Sequence, residues 1–238
     1  MGGSRLGCRS PVRLSGSVRA CPAAIIEPVA TALHPSLAAR PRGVEHPRVA
    51  PWEYAGLQAD AGWCLPIELI AGEAVVMSPI GEAASAVQIA LIAALREWQR
   101  RVGDEGVLHQ DVFVAFAKDE HLAPDICWWR AGRRPPVVRG EVDVIPDLVV
   151  EVLSPSTRVN DLGPKRAAYL RAGVRELWLA DPDERTLTRV RAPGGRAGRA
   201  VGGEDARLDA TAVLRLDASA VLRSELLDGF ELELAQVF

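Results

Sequence analysis

The stretch PDLVVEVLSPSTRVNDLGPKRAAYLRAGVRELWLADP, residues 146–182, decides the architecture of this chain. Residues 147–153 (DLVVEVL) are a near-continuous apolar run, which is how a central strand covered on both faces reads. The segment after it holds a turn, a capping candidate in Asn160 or Asp161, and Pro164. Proline suits a first helical turn, where its missing N–H is not needed. The spacing predicts a helix over 161–172, stopped by Gly173. A strand over 175–180 (RELWLA) and a turn at Asp181-Pro182-Asp183 complete the unit.

Outward from this unit, residues 73–78 (EAVVMS) predict a short strand closed by Pro79 and Gly81. Residues 82–102 predict a helix. Val87, Leu91, Leu95 and Trp98 recur at helical spacing, Arg96, Arg100 and Arg101 lie at its polar end, and Gly103 is its natural stop. Residues 107–116 (VLHQDVFVAF) and 122–129 (LAPDICWW) predict two strands, followed by a basic, proline-containing loop from Arg130 to Gly140. Residues 185–191 alternate like an edge or hairpin strand, and 207–216 and 230–234 predict two late strands. Strands and helices in mixed order predict one α/β domain over residues 51–238, a mixed β-sheet core flanked by helices.

Residues 1–50 are rich in Arg, Ser, Pro, Gly and Ala, with little periodicity. Their composition is compatible with an organellar transit peptide, but they have no clean apolar core for secretion. A disordered extension is the expected reading.

The 28 basic and 31 acidic side chains nearly balance, which argues against a protein that binds by bulk positive charge. The balance is uneven along the chain: residues 1–50 carry +5 and residues 51–238 carry −8. No run of about 18 apolar residues occurs, so no membrane partner is expected. Cys8, Cys21, Cys64 and Cys127 match neither a zinc ribbon nor a disulfide framework, which fits a reducing cytoplasm. Among the basic residues 26 are arginine, and only Lys118 and Lys165 are lysine.

Two acids occupy unusual places. Asp125 lies inside LAPDICWW, on the face of Ala123, Cys127 and Trp129. Glu151 lies in the middle of DLVVEVL, on the face of Asp147, Val149 and Leu153. A carboxylate in an apolar strand is costly unless a cation, a salt bridge or hydrogen bonds compensate it. Lys165 falls on one helical stripe with Leu162, Tyr169 and Ala172, so it is expected to point inward beside the Glu151 strand. A buried lysine needs an acidic partner or a chemical role. In a chain that otherwise uses arginine, this lysine stands out. Asp147 follows Pro146 and reads as a strand-start residue rather than a ligand.

ELIAGEAVVMSP (68–79), APDI (123–126), the 146–182 block and LLDGFELELAQVF (226–238) resemble the Uma-two family. The resemblance covers about residues 50–238. It implies a restriction-endonuclease-like fold of the PD-(D/E)xK superfamily and a divalent-metal-dependent endonuclease that hydrolyses phosphodiester bonds, in DNA. It implies Asp125 and Glu151 as ligands of Mg²⁺ or Mn²⁺ and Glu68 as an upstream acid that helps set the metal. In the superfamily pattern a lysine stands two residues after the acid. Here that residue is Leu153, and the resemblance transfers the role to Lys165. The family's usual acid in the EL-I-D-G-E segment is Ala71 here, and the histidine often found before the first long helix is absent from GEAASAVQ (81–88).

Arg130, Arg133, Arg134 and Arg139 cluster in the loop after the Asp125 strand and are candidate contacts to nucleic-acid phosphates near the metal. Tyr169 could support Lys165 through its hydroxyl, or pack. A homodimer is a further arrangement that the resemblance implies. The rival reading from another class is a catalytically inactive nucleic-acid-binding or dimerisation module that retains the fold. No GxSxG elbow, Walker loop or GxGxxG motif follows a strand.

Overall fold

The computed structural model describes residues 66–133, 135, 141–192 and 212–238. The expected extension over 1–50 and the first residues of the 51–238 domain lie outside them. In chain order the elements are β1 (Ile67–Ile70), β2 (Glu73–Val76), α1 (Glu82–Val102), β3 (Val107–Gln110), β4 (Val114–Ala117), β5 (Glu120–Leu122), β6 (Ile126–Trp129) and β7 (Leu148–Val152). A helical stretch follows: α2 (Arg158–Asn160), a π-helical segment (Asp161–Lys165) and α3 (Arg166–Ala172). Then come β8 (Glu176–Asp181), β9 (Thr186–Arg191), β10 (Ala212–Asp217), β11 (Val221–Arg223) and β12 (Glu231–Glu233), with a final 3₁₀ turn (Leu234–Gln236).

A six-stranded sheet in the order β10-β9-β8-β7-β6-β3 is the frame. Within it β7 and β8 are parallel and the other pairs antiparallel. The helical stretch is the crossover that parallel neighbours require. β7 sits inside the sheet and is buried along its whole length, as its unbroken apolar run predicts. Its alternate residues feed two cores. Leu148, Val150 and Val152 join Ile126, Trp128, Trp178 and the apolar stripe of α1. Val149 and Leu153 join Cys127, Trp129, Leu177, Leu179 and Tyr169 of α3. Both tryptophans of the Trp128-Trp129 pair are therefore buried, one on each face. Helix α1 runs over the predicted residues and ends at Gly103 in the left-handed conformation.

A second sheet, β2-β1-β5-β4, is hydrogen-bonded separately from the first and shares a core with it through Ile70, Val114, Phe116 and Leu122. The predicted strands 107–116 and 122–129 each divide between the two sheets. The first breaks at Asp111, whose φ of 50° takes it out of the strand, and β4 then joins the second sheet. The second breaks at Ala123-Pro124-Asp125, because proline cannot continue a ladder. Asp125 thus lies just before β6 rather than within a strand. β1 has no alternation to reveal it, since all four residues are buried. Its hairpin with β2 turns at Ala71 and Gly72, both with positive φ, 51° and 77°.

The crossover also departs from a plain helix. It starts at Arg158, earlier than predicted, and Thr157 at its N-cap makes no side-chain cap bond. Pro164 has no N–H for the α ladder, and the helix widens into a π turn around it. The widening changes which residues face inward. Leu162, predicted to be inside, is 41% exposed, while Asp161, predicted as a cap, is 2% exposed.

Candidate active site

Lys165 is the hub of a buried charge cluster. Its Nζ lies 2.9 Å from Glu151 Oε1, 3.1 Å from Glu68 Oε1 and 3.3 Å from Asp161 Oδ1. The lysine is 5% exposed and Glu151 2%. Each carboxylate comes from a different part of the fold. β1 of the second sheet supplies Glu68, β7 of the central sheet supplies Glu151, and the π segment supplies Asp161 together with Lys165.

Asp125 completes the set. Ile126 pairs with Val150, so Asp125, one residue earlier, comes alongside Glu151. Its Oδ2 accepts the Val152 N–H at 2.5 Å, and its carbonyl accepts Gln88 Nε2 from α1 at 3.0 Å. The Ala123 N–H donates to Glu68 Oε1 at 2.9 Å, so the segment leading to Asp125 fixes Glu68 as well. The Tyr169 hydroxyl donates a short hydrogen bond to Glu151 Oε1, and its ring packs edge-on against Phe116 with centroids 4.8 Å apart. Tyr169 both supports the cluster and fills the core.

These five charged residues line one cleft of about 100 Å³. Its walls are the 75–80 segment and the Ser154–Thr157 turn, which add the hydroxyls of Ser78, Ser154, Ser156 and Thr157. Burial raises the Asp125 carboxyl to about 6, against the Val152 N–H and the Lys165 ammonium, which lower it. Burial also raises Glu151, and Lys165 opposes that shift. For Lys165 burial alone would favour the neutral amine, but Glu151, Glu68 and Asp161 together push its pKa well above the ordinary value. The carboxylates therefore favour the ammonium form, which can donate hydrogen bonds and stabilise anionic oxygens. Among the described residues no group of three or more His, Cys, Asp or Glu side chains is spaced to hold a metal ion by itself.

The model of the Uma2 family, described as putative restriction endonuclease, matches residues 62–224. The chain belongs to the Uma2 family. A crystal structure of a putative nuclease belonging to DUF820, from Anabaena variabilis ATCC 29413, superposes on this Uma2 chain with a TM-score of 0.58 at 20% identity. The match covers 80% of this chain and 97% of that one, and it shows the shared restriction-endonuclease-like fold. No curated protein matches the chain. Among the described residues of the Uma2 protein, no helix is long and apolar enough to cross a membrane.

Of the loop arginines in this Uma2 chain, Arg130 and Arg133 lie beyond the end of β6 away from Asp125. Asp125 and Arg130 stand at opposite ends of β6, five extended residues or about 16 Å apart, so Arg130 is not beside the carboxylates. Arg133 reaches Asp147 Oδ1 at 2.7 Å and the Ile145 carbonyl at 2.9 Å, and Arg130 and Arg175 approach the same carboxylate at 3.7 and 3.9 Å. Asp147, fully buried, anchors that end of the sheet. Arg134 and Arg139 lie outside the described residues. Two site residues of the Uma2 protein escape the sequence reading, Gln88 and Asp161. For Asp161 a signal existed: it stands four residues before Lys165, the spacing of a helical ion pair.

Proposed function

We propose that this protein is a divalent-metal-dependent endonuclease that hydrolyses phosphodiester bonds, with DNA as substrate and Asp125, Glu151, Lys165 and Glu68 as its catalytic set. The supporting observation is the buried Lys165 ammonium drawn against Glu151 and Glu68 in the cleft that Asp125 also lines.

The donor set suits Mg²⁺ or Mn²⁺. All its acids offer oxygen, four carboxylates face one ammonium, and Asp161 Oδ1 is buried with no hydrogen-bond partner. Magnesium is commonly held by one or two carboxylates, with water and substrate phosphate completing its shell. Asp125 and Glu151 would be that pair, with Glu68 beside them. When bound, such a cation supplies an acidified water and a polarised phosphate. The protein's own groups do the rest. Lys165 donates to the phosphoryl oxygens on which negative charge develops. Tyr169 and Lys165 together hold Glu151 in one orientation, and the Val152 N–H and Gln88 do the same for Asp125. Arg130 and Arg133, at the end of β6 away from Asp125, enter this reading as contacts to backbone phosphates away from the scissile bond, and Arg134 as a further phosphate contact. A module that needed only the fold would gain stability from apolar residues in place of this charged cluster, which opposes the inactive alternative. The domain over 51–238, a cytoplasmic location and a homodimer belong to the same proposal.

Nicking of plasmid and single-stranded DNA with Mg²⁺ or Mn²⁺ tests it. Asp125→Ala, Glu151→Ala and Lys165→Ala are each expected to lower the rate by about a hundredfold or more. Lys165→Arg keeps the charge but replaces a compact ammonium with a planar fork, and it is expected to cripple cleavage too. Equal cleavage by wild type and all four variants would sink the assignment.

A further inference from the structure

An ammonium has three N–H donors. Glu151 and Glu68 lie nearest to that of Lys165. Asp161, at 3.3 Å, is close enough for an ion pair, yet its Oδ1 makes no hydrogen bond. A buried carboxylate oxygen without a hydrogen-bond partner is costly. The local fold could have avoided it, since the adjacent Leu162 already faces solvent while the π turn carries Asp161 inward. Asp161 also differs from the other two acids in its support. Glu68 and Glu151 stand on separate sheets, whereas Asp161 rides on the same helical segment as Lys165.

We infer that Asp161 is a positioning residue that acts through Lys165. Its charge holds the ammonium at the cleft from the lysine's own helix, so the third N–H stays aimed at the substrate when Glu151 or Glu68 engages another partner. The inference rests on the nuclease reading for its catalytic consequence, but the hold on Lys165 can be measured without activity.

Asp161→Asn keeps the shape and removes the charge. With two lysines in the chain and Lys118 exposed, a nitrogen-15 lysine-labelled sample gives two side-chain signals, of which Lys165 is the protected one. In the wild type its ammonium protons are expected to exchange slowly; in Asp161→Asn they exchange faster and the nitrogen becomes more mobile. In cleavage assays kcat is expected to fall roughly 10- to 100-fold with KM nearly unchanged. Tm is expected to be no lower than that of the wild type, and Asp161→Glu recovers part of the rate. An unchanged Lys165 signal in Asp161→Asn overturns the inference, as does a wild-type kcat in that variant. A fall in kcat that merely tracks a lowered Tm also overturns it, since Asp161 would then be structural. If the wild type cleaves nothing, the nuclease reading fails, and the lysine signals still decide whether Asp161 holds Lys165.

Discussion

Asp125 shows what burial does to a single carboxyl. Its pKa is raised from 3.8 to about 6, mainly by desolvation. The folded state then keeps a proton that the unfolded chain releases near pH 4, so between pH 4 and about 6 stability falls as pH rises. The contribution lost by pH 7 is on the order of 3 kcal/mol. Asp125→Asn cannot ionise and can still accept the Val152 N–H. In chelator, its urea midpoint is expected to gain on that of the wild type between pH 4.5 and pH 7; midpoints that keep a constant separation would contradict this. Asp125, Glu151 and Lys165 were legible in the sequence for one reason: a charged side chain in an apolar pattern has to be compensated. Asp161 was less legible, because an acid at the start of a helix reads as a cap, and only the π turn reveals that it points inward.

At the scale of elements, long patterns declared themselves and short ones did not. Helix α1 was legible because its apolar stripe, Val87, Leu91, Leu95 and Trp98, repeats over about three turns. β7 was legible because burial on both faces leaves an unbroken apolar run. The divided strands were not, since a pattern of β-branched and aromatic residues does not show which sheet each half joins. Asp111 and Pro124 mark the divisions, but such residues also occur where a strand simply ends. The β1–β2 turn carries a testable strain. Ala71 sits at φ 51°, a conformation that Asn, Asp and Gly adopt more readily. Ala71→Asn makes an Asn-Gly pair suited to this two-residue hairpin, and thermal unfolding is expected to show a gain of about 0.5–1 kcal/mol, or a few degrees in Tm. A lower Tm would count against the turn as the source of strain. The Ala71 N–H also donates to Glu120, whose other oxygen meets Arg171 of α3, so the turn is tied to the helix behind the site.

Over the whole molecule, charge works against tight electrostatic binding. Residues 51–238 carry −8, and the cleft itself is rich in carboxylates. Nucleic-acid affinity is therefore expected to depend only weakly on salt, with a log–log slope shallower than about −3, and Arg130→Ala is expected to reduce that slope by about one unit. Fluorescence anisotropy of a labelled oligonucleotide at several salt concentrations measures both. A steep slope that Arg130→Ala leaves unchanged would place the phosphate contacts elsewhere.

The two-sheet origin of the cluster has a consequence in time. Glu68 and Glu151 meet Lys165 only after β1 has paired in its own sheet, β7 has been enclosed in the other, and the crossover has closed over both. The constellation draws residues from position 68 to position 165, so no single element can assemble it. On the reading proposed here, a nascent or partly folded molecule has no cutting power, and cleavage begins only when the two sheets have docked.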